Sequence, residues 1–176
     1  MRTIDSKVVF EGKVFRVRQD RVQSDGRTHV IDVVDHAPSY AIIARPSPKE
    51  LLLVHQYRHA TGRKMWEIPA GMADGGEKPE DGALRELREE TGFRGGRIRK
   101  LFGLYPTPGF CNERLDFFLV DDLEEGPTAF DEDEEIETRA YSLEEALAML
   151  GNGEIVDAKT TIALLWLDKN ERQQIT

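Results

Sequence analysis

The sequence lacks several features that mark other classes of protein. Its 176 residues include one cysteine, Cys111, which excludes an internal disulfide and suits a reducing cytoplasm. The longest apolar runs are of the order of LLLV at 51–54, far short of the roughly 20 residues that a membrane span needs. The first residues show no apolar stretch typical of a secretory signal. We therefore expect a cytoplasmic protein without a membrane partner.

Basic tracts are also missing, and the negative charge is local. The net charge is −9, yet residues 121–137 alone hold ten acids and no base, which leaves 23 acids against 24 bases elsewhere. No run of lysine and arginine with interleaved aromatic residues is present, so a nucleic-acid partner is not expected. With 39% hydrophobic and 32% charged residues, the chain has a globular composition of single-domain length.

Alternating and periodic patterns predict an α+β protein. Asp25-Gly26 is a strong hairpin signal within a β-rich segment, 7–36. Pro79 is a favourable first residue for a helix, and Gly92 is a typical helix stop. Strands before this helix, strands after it and two C-terminal helices indicate layers rather than repeated βαβ units. The other predicted strands are 40–45, 50–58, 64–71, 97–107, 113–122 and 136–142, and the last helices cover 143–150 and 157–170.

The predicted helix carries an unusual set of charges in LRELREETGF, residues 84–93. Glu86, Glu89 and Glu90 fall at spacings that share one side of a helix, where like charges repel. Such a helix alone is more typical of a solvated face with arginine pairs. A cation bound between the carboxylates is the alternative, because it would remove the repulsion.

The residues on either side of these glutamates favour a bound cation. Gly71 is followed at fixed spacing by Glu77, by Arg85-Glu86, by Glu89-Glu90 and by Gly92-Phe93. This pattern resembles the Nudix box, G-x5-E-x7-R-E-U-x-E-E-x-G-U, where U is a bulky apolar residue. The resemblance implies a Nudix fold, with mixed β-sheets sandwiched between helices (α/β/α) and an N-terminal β extension. It divides the chain into an extension, 1–38, and a Nudix hydrolase domain, 39–176.

The resemblance also implies a divalent metal site. Hydrolysis of a diphosphate needs charge neutralised on phosphate oxygens and a water activated, and Mg²⁺ does both through oxygen ligands. We expect Mg²⁺, with Mn²⁺ as a substitute. Arg85 would orient the carboxylates and, with Glu89, is also a candidate catalytic residue. The expected metal ligands are the Ala70 carbonyl and the side chains of Glu77, Glu86, Glu89, Glu90 and Glu134.

Flanking segments resemble the ADP-ribose pyrophosphatase branch of this family. In VHQYRHA, Arg58 matches an arginine that contacts phosphate or ribose. In TPGFCNER, Pro108, Gly109 and Glu113 match substrate-binding positions. The acidic segment fits E-x-E-x-I at 132–136, where the resemblance makes Glu132 or Glu134 the general base and Glu134 an accessory metal ligand. A solvated loop is the alternative for this segment.

The sequence leaves several functions open. We expect cleavage of ADP-ribose to AMP and ribose 5-phosphate, and the same box would serve GDP-mannose or another nucleoside diphosphate sugar. A ligand-sensing module without catalysis is disfavoured, because all box glutamates are present. A third alternative is a scaffold protein that uses its acidic segment for protein contacts. In that case the match to the box spacing would be a coincidence. The resemblance also implies a homodimer in which N-terminal strands reach the partner's site.

Overall fold

The computed structural model describes residues 1–126 and 136–174 of the chain. Ten strands and three α-helices occur in the described residues, together with one short 3-10 turn at His59–Thr61. Among the described helices, none combines the length and the apolar character that crossing a membrane requires. The elements are β1 (Arg2–Glu11), β2 (Phe15–Ser24), β3 (Arg27–His36), β4 (Ser39–Ala44), β5 (Glu50–Arg58), β6 (Arg63–Glu67), β7 (Ala70–Met72), α1 (Pro79–Thr91), β8 (Phe93–Leu104), β9 (Leu115–Glu125), β10 (Glu137–Ser142), α2 (Leu143–Gly151) and α3 (Ala158–Gln174).

The described strands form three sheets, and the predicted α+β class is confirmed. The sheet orders are β1-β2-β3, β10-β5-β6 and β7-β4-β9-β8. The hairpin predicted at Asp25-Gly26 joins β2 to β3, and both turn residues have positive φ, 51° and 73°. Positive φ at both positions gives a turn whose twist matches that of the strands, so this short pair fixes the β2–β3 register.

The chain divides into two compact units. The first contains Met1–Ser39 and Gly103–Asp116, and the second contains Tyr40–Phe102 and Phe117–Thr176. In the first unit, the Val34 N–H donates to the Phe110 carbonyl at 2.7 Å and the Asn112 N–H donates to the Val34 carbonyl at 3.1 Å. The segment that carries the predicted substrate loop is therefore paired to β3. The domain boundary expected after residue 38 stays a prediction.

In the second unit, α1 packs one flank into an apolar core. Ala83 and Leu87, four residues apart, are fully buried there, while Arg88 on another flank is exposed. The helix begins at Pro79 and ends at Gly92, which has a φ of 77°. Burial of this flank fixes the rotation of the helix and therefore the direction of its carboxylates. The core cluster contains Tyr40, Ile42, Ala44, Leu52, Ala83, Leu87, Phe118 and Val120.

Candidate active site

Arg85 lies at the centre of the box carboxylates. Its Nη1 donates to Glu86 Oε1 at 2.8 Å and to Glu89 Oε2 at 2.9 Å. Its Nε and Nη2 donate to the Glu77 carboxylate at 3.3 and 3.1 Å, and Nη2 also donates to the Met72 carbonyl at 3.1 Å. One guanidinium thus ties the loop before α1 to two carboxylates on the helix.

Glu77 folds back from the loop onto the start of α1. It accepts the Asp74 N–H at 2.7 Å, and the Arg85 bond holds the pKa of the Glu77 carboxyl below its usual range. A Cβ at Gly82 would lie 2.4 Å from Glu77 Oε1, so a side chain there would displace the carboxylate. Glycine in the first turns of a helix costs stability. Here it makes room for the loop carboxylate beside Arg85.

Glu90 is buried against the strand that precedes the helix. Its Oε2 accepts the Ala70 N–H at 2.9 Å, and Gln56 Nε2 lies 3.4 Å from Oε1. Burial raises the pKa of Glu90 to about 7; the Ala70 N–H opposes this shift, and the charge of Glu86 adds to it. This carboxylate therefore lies beside a second carboxylate in a poorly solvated position.

Glu86 lies directly on the backbone of Gly71. A Cβ built at that glycine would fall 1.9 to 2.2 Å from the carboxyl atoms of Glu86, so any side chain would displace the carboxylate. Burial is the main cause that raises the pKa of Glu86; Arg85 opposes it, and the charge of Glu89 adds to it. The first glycine of the box is thus explained by contact with a box carboxylate.

The donor set fits a hard divalent cation by its chemistry. Glu86, Glu89 and Glu90 offer carboxylate oxygens, the ligands that Mg²⁺ and Mn²⁺ prefer, and the Ala70 N–H that binds Glu90 brings the Ala70 backbone beside them. Glu86 and Glu90 repel one another while partly desolvated, a situation that a bound cation would relieve. In the described ranges, no three His, Cys, Asp or Glu residues already stand in a metal-binding arrangement. Arg85 instead holds Glu86 and Glu89.

Arg58 ends β5 with its guanidinium bound to a buried carboxylate. Its Nε and Nη2 donate to Glu67 Oε1 and Oε2 at 2.8 and 2.7 Å. Two residues earlier on β5, Gln56 contacts Glu90, so this strand end lies near the box carboxylates, and the charge of Arg58 lowers the pKa of Glu90. Sequence reasoning missed Glu67. The sequence does contain a sign of its role, since Glu67 stands between Trp66 and Ile68. A charged residue inside an apolar strand needs a partner of opposite charge.

The remaining predicted residues belong to other parts of the chain. Pro108, Gly109 and Glu113 belong to the first unit, whereas the box and Arg58 belong to the second. Within its unit, Glu113 Oε1 accepts the Ser39 hydroxyl at 2.8 Å and lies 4.0 Å from His36 Nδ1. The two candidate bases, Glu132 and Glu134, lie outside the described residues.

Comparisons with known proteins give consistent matches. A family model described as NUDIX domain matches residues 35–164. An ADP-ribose pyrophosphatase of Bacillus subtilis (strain 168) is 35% identical over 176 residues, 98% of this chain and 95% of the relative. A GDP-mannose pyrophosphatase of Citrobacter koseri is 35% identical over 157 residues, 84% and 82% of the two chains. A solved structure described as ADP compounds hydrolase superimposes with a TM-score of 0.85 at 21% identity, covering 98% and 95%.

Proposed function

This chain belongs to the Nudix family and has the Nudix fold, and we propose that it cleaves ADP-ribose to AMP and ribose 5-phosphate with Mg²⁺. The membership confirms the resemblance carried by the box and makes the chain a Nudix hydrolase. Hydrolysis of nucleoside diphosphate sugars is the activity that its pyrophosphatase relatives share. The observation that carries the proposal is the placement of Glu86 and Glu90 against Gly71 and Ala70.

Different residues of the candidate active site have different roles in the proposed reaction. Glu86, Glu89, Glu90 and the Ala70 carbonyl would hold the metal, which when bound supplies positive charge to the diphosphate and an acidified water. Arg85 keeps Glu86 and Glu89 in place, and Glu77 fixes Arg85 in turn. Arg58 would donate to diphosphate oxygens as a planar cation. Glu77, expected as a metal ligand, supports the site better as the partner of Arg85 in this arrangement.

The proposed reaction needs one residue that accepts a proton. A water oxygen attacks a phosphorus atom of the diphosphate, the bond from that phosphorus to the bridging oxygen breaks, and the general base takes the proton of the water. We assign the base to Glu132, with Glu134 as an accessory metal ligand, on the E-x-E-x-I pattern. Pro108, Gly109 and Glu113 would contact the substrate from their loop. These assignments rest on the sequence resemblance.

A substrate panel tests the proposed function directly. Purified protein is incubated with ADP-ribose, GDP-mannose and another nucleoside diphosphate sugar, with Mg²⁺, with Mn²⁺ and with a chelator, and products are separated by chromatography. We expect kcat/KM for ADP-ribose to exceed that for the other sugars by at least about tenfold, because correct polar contacts to a base and sugar discriminate strongly. Equal or faster turnover of GDP-mannose would shift the assignment to that substrate.

GDP-mannose is the second candidate substrate. The 35% identity to the Citrobacter koseri enzyme supports it, because it equals the identity to the Bacillus subtilis enzyme, although it covers a smaller share of the chain. The same box geometry would cleave either diphosphate.

A ligand-sensing role without catalysis would leave every nucleoside diphosphate sugar in the panel bound but uncleaved. A cytoplasmic location and the absence of a nucleic-acid partner stay predictions from composition.

The N-terminal sheet supports the proposed homodimer. Every residue of β1 is exposed, including Val8 at 45% and Phe10 at 53%, and the apolar Val30 on β3 is 61% exposed. An exposed strand with apolar residues is a surface that another chain can cover.

Val8→Asp and Phe10→Asp are therefore expected to halve the molar mass in solution, because a charge placed in an apolar interface is left without solvent. Light scattering after size-exclusion chromatography measures this change. The matched control is Lys7→Gln, which changes the net charge by the same amount at a neighbouring exposed position of β1 whose side chain faces the other side of the sheet. A parent protein that is monomeric would remove the proposal.

A further inference from the structure

Glu67 is a buried carboxylate that binds two cations at once. Its side chain is 2% exposed, and both of its oxygens accept hydrogen bonds from Arg58. Lys159, at the start of α3, also donates to Glu67 Oε2. Burial would raise the pKa of the Glu67 carboxyl, but the bonds from Arg58 and Lys159 hold the pKa below its usual value. The group is therefore a fixed anion inside the fold.

Asp157 completes a network of opposite charges. Its Oδ2 lies 3.1 Å from Lys159 Nζ, so two carboxylates face two cations. The same oxygen accepts the N–H of Thr160 at 2.9 Å and its hydroxyl at 2.6 Å. The Thr160 Oγ1 accepts the Ile68 N–H at 2.9 Å. The network thus joins the first turn of α3 to the strand end that bears Glu67.

Arg58 is the most exposed member of this network, and it ends β5, the strand whose Gln56 contacts Glu90 of the box. Its side chain is 40% exposed, against 14% for Lys159 and 18% for Asp157. A guanidinium carries more N–H donors than one carboxylate can bind, so those not used by Glu67 stay available to another planar anion. Its charge also acts on Glu90 of the box. A cation held in one orientation at that place suits a diphosphate.

We propose that Glu67, supported by Lys159, is a positioning residue that fixes the Arg58 guanidinium for binding the substrate diphosphate. This inference rests on the proposed function, because Arg58 must contact the diphosphate of a nucleoside diphosphate sugar. A buried ion pair is often no more stabilising than an apolar pair of the same size. A contact that only joins α3 to β6 would not need charged residues. A role in orienting Arg58 explains why a charged network is present here.

A double-mutant cycle tests the inference. We expect Glu67→Gln to raise KM for ADP-ribose about tenfold with a smaller change in kcat, because a misplaced guanidinium weakens diphosphate binding. Arg58→Ala should raise KM at least as much. In the Arg58→Ala protein, adding Glu67→Gln should leave KM unchanged, since no guanidinium remains to be positioned. Arg58→Lys should resemble Glu67→Gln, because lysine keeps the charge but cannot bind both oxygens.

A matched control separates positioning from stability. Asp121→Asn breaks a comparable Arg–carboxylate pair with Arg45, at 2.6 Å, elsewhere in the second unit. We expect it to lower Tm without changing KM. If Glu67→Gln does not fold, Lys159→Gln takes its place in the same cycle. Equal effects of Glu67→Gln with and without Arg58, or an unchanged KM in a folded variant, would overturn the inference. An inactive parent protein would instead refute the proposed function.

Discussion

Glu86→Gln and Glu90→Gln are each expected to lower kcat for ADP-ribose by about 10³-fold, because a lost metal carboxylate removes several kcal/mol of charge stabilisation in the transition state. Both side chains lie at the backbone of Ala70 and Gly71, where a metal would be held. Steady-state rates at increasing Mg²⁺ measure the effect. Glu80→Gln, on the exposed first turn of the same helix, is the matched control and should keep full activity.

Folding of these variants can be checked without substrate. In the folded protein the pKa of Glu90 is about 7, above the ordinary value of 4.5, so its ionised form disfavours the fold at higher pH. In a chelator, Glu90→Gln should therefore raise Tm relative to the parent protein more at pH 8 than at pH 5. A Glu90→Gln protein that is destabilised at pH 8 would contradict the raised pKa of Glu90, whereas near-normal turnover of either variant at saturating Mg²⁺ would contradict the metal-site assignment.

Glu132→Gln is expected to reduce kcat by roughly 10²–10⁴-fold with little change in KM, because glutamine keeps the size and the polarity but cannot accept the proton. If Glu134 is an accessory metal ligand, Glu134→Gln should raise the Mg²⁺ requirement and recover partly at high Mg²⁺. Asp131→Asn and Asp133→Asn are the matched controls and should do little.

The comparison uses all four variants at two Mg²⁺ concentrations. Its basis is the E-x-E-x-I pattern, since these positions lie outside the described residues. A small and equal loss in all four would mean that the acidic segment acts only through its overall charge. The base would then be sought among Glu77, Glu89 and Glu113. All three already accept hydrogen bonds, Glu77 and Glu89 from Arg85 and Glu113 from Ser39.

Local patterns in the sequence were sufficient for the box helix and for most strands, but the strand predicted at 64–71 is two strands, β6 and β7, in different sheets. The limits of α1 follow from Pro79 and Gly92, which act through their own backbone preferences. The hairpin at Asp25-Gly26 follows for the same reason. Arg85 and Glu89 are four residues apart and so share one side of the helix, which put their contact within reach of sequence reasoning. The family pattern added the metal and the substrate class.

The sequence by itself determined which carboxylates lie together on the box helix and the loop before it, because that information is local. Only the tertiary structure decided that Arg58 binds Glu67 and that Lys159 from α3, 92 positions away, joins them. It also decided that Glu86 lies against Gly71 and that burial raises the pKa of Glu90. Contacts between distant segments and the loss of solvent arise when elements pack, and no local pattern encodes them.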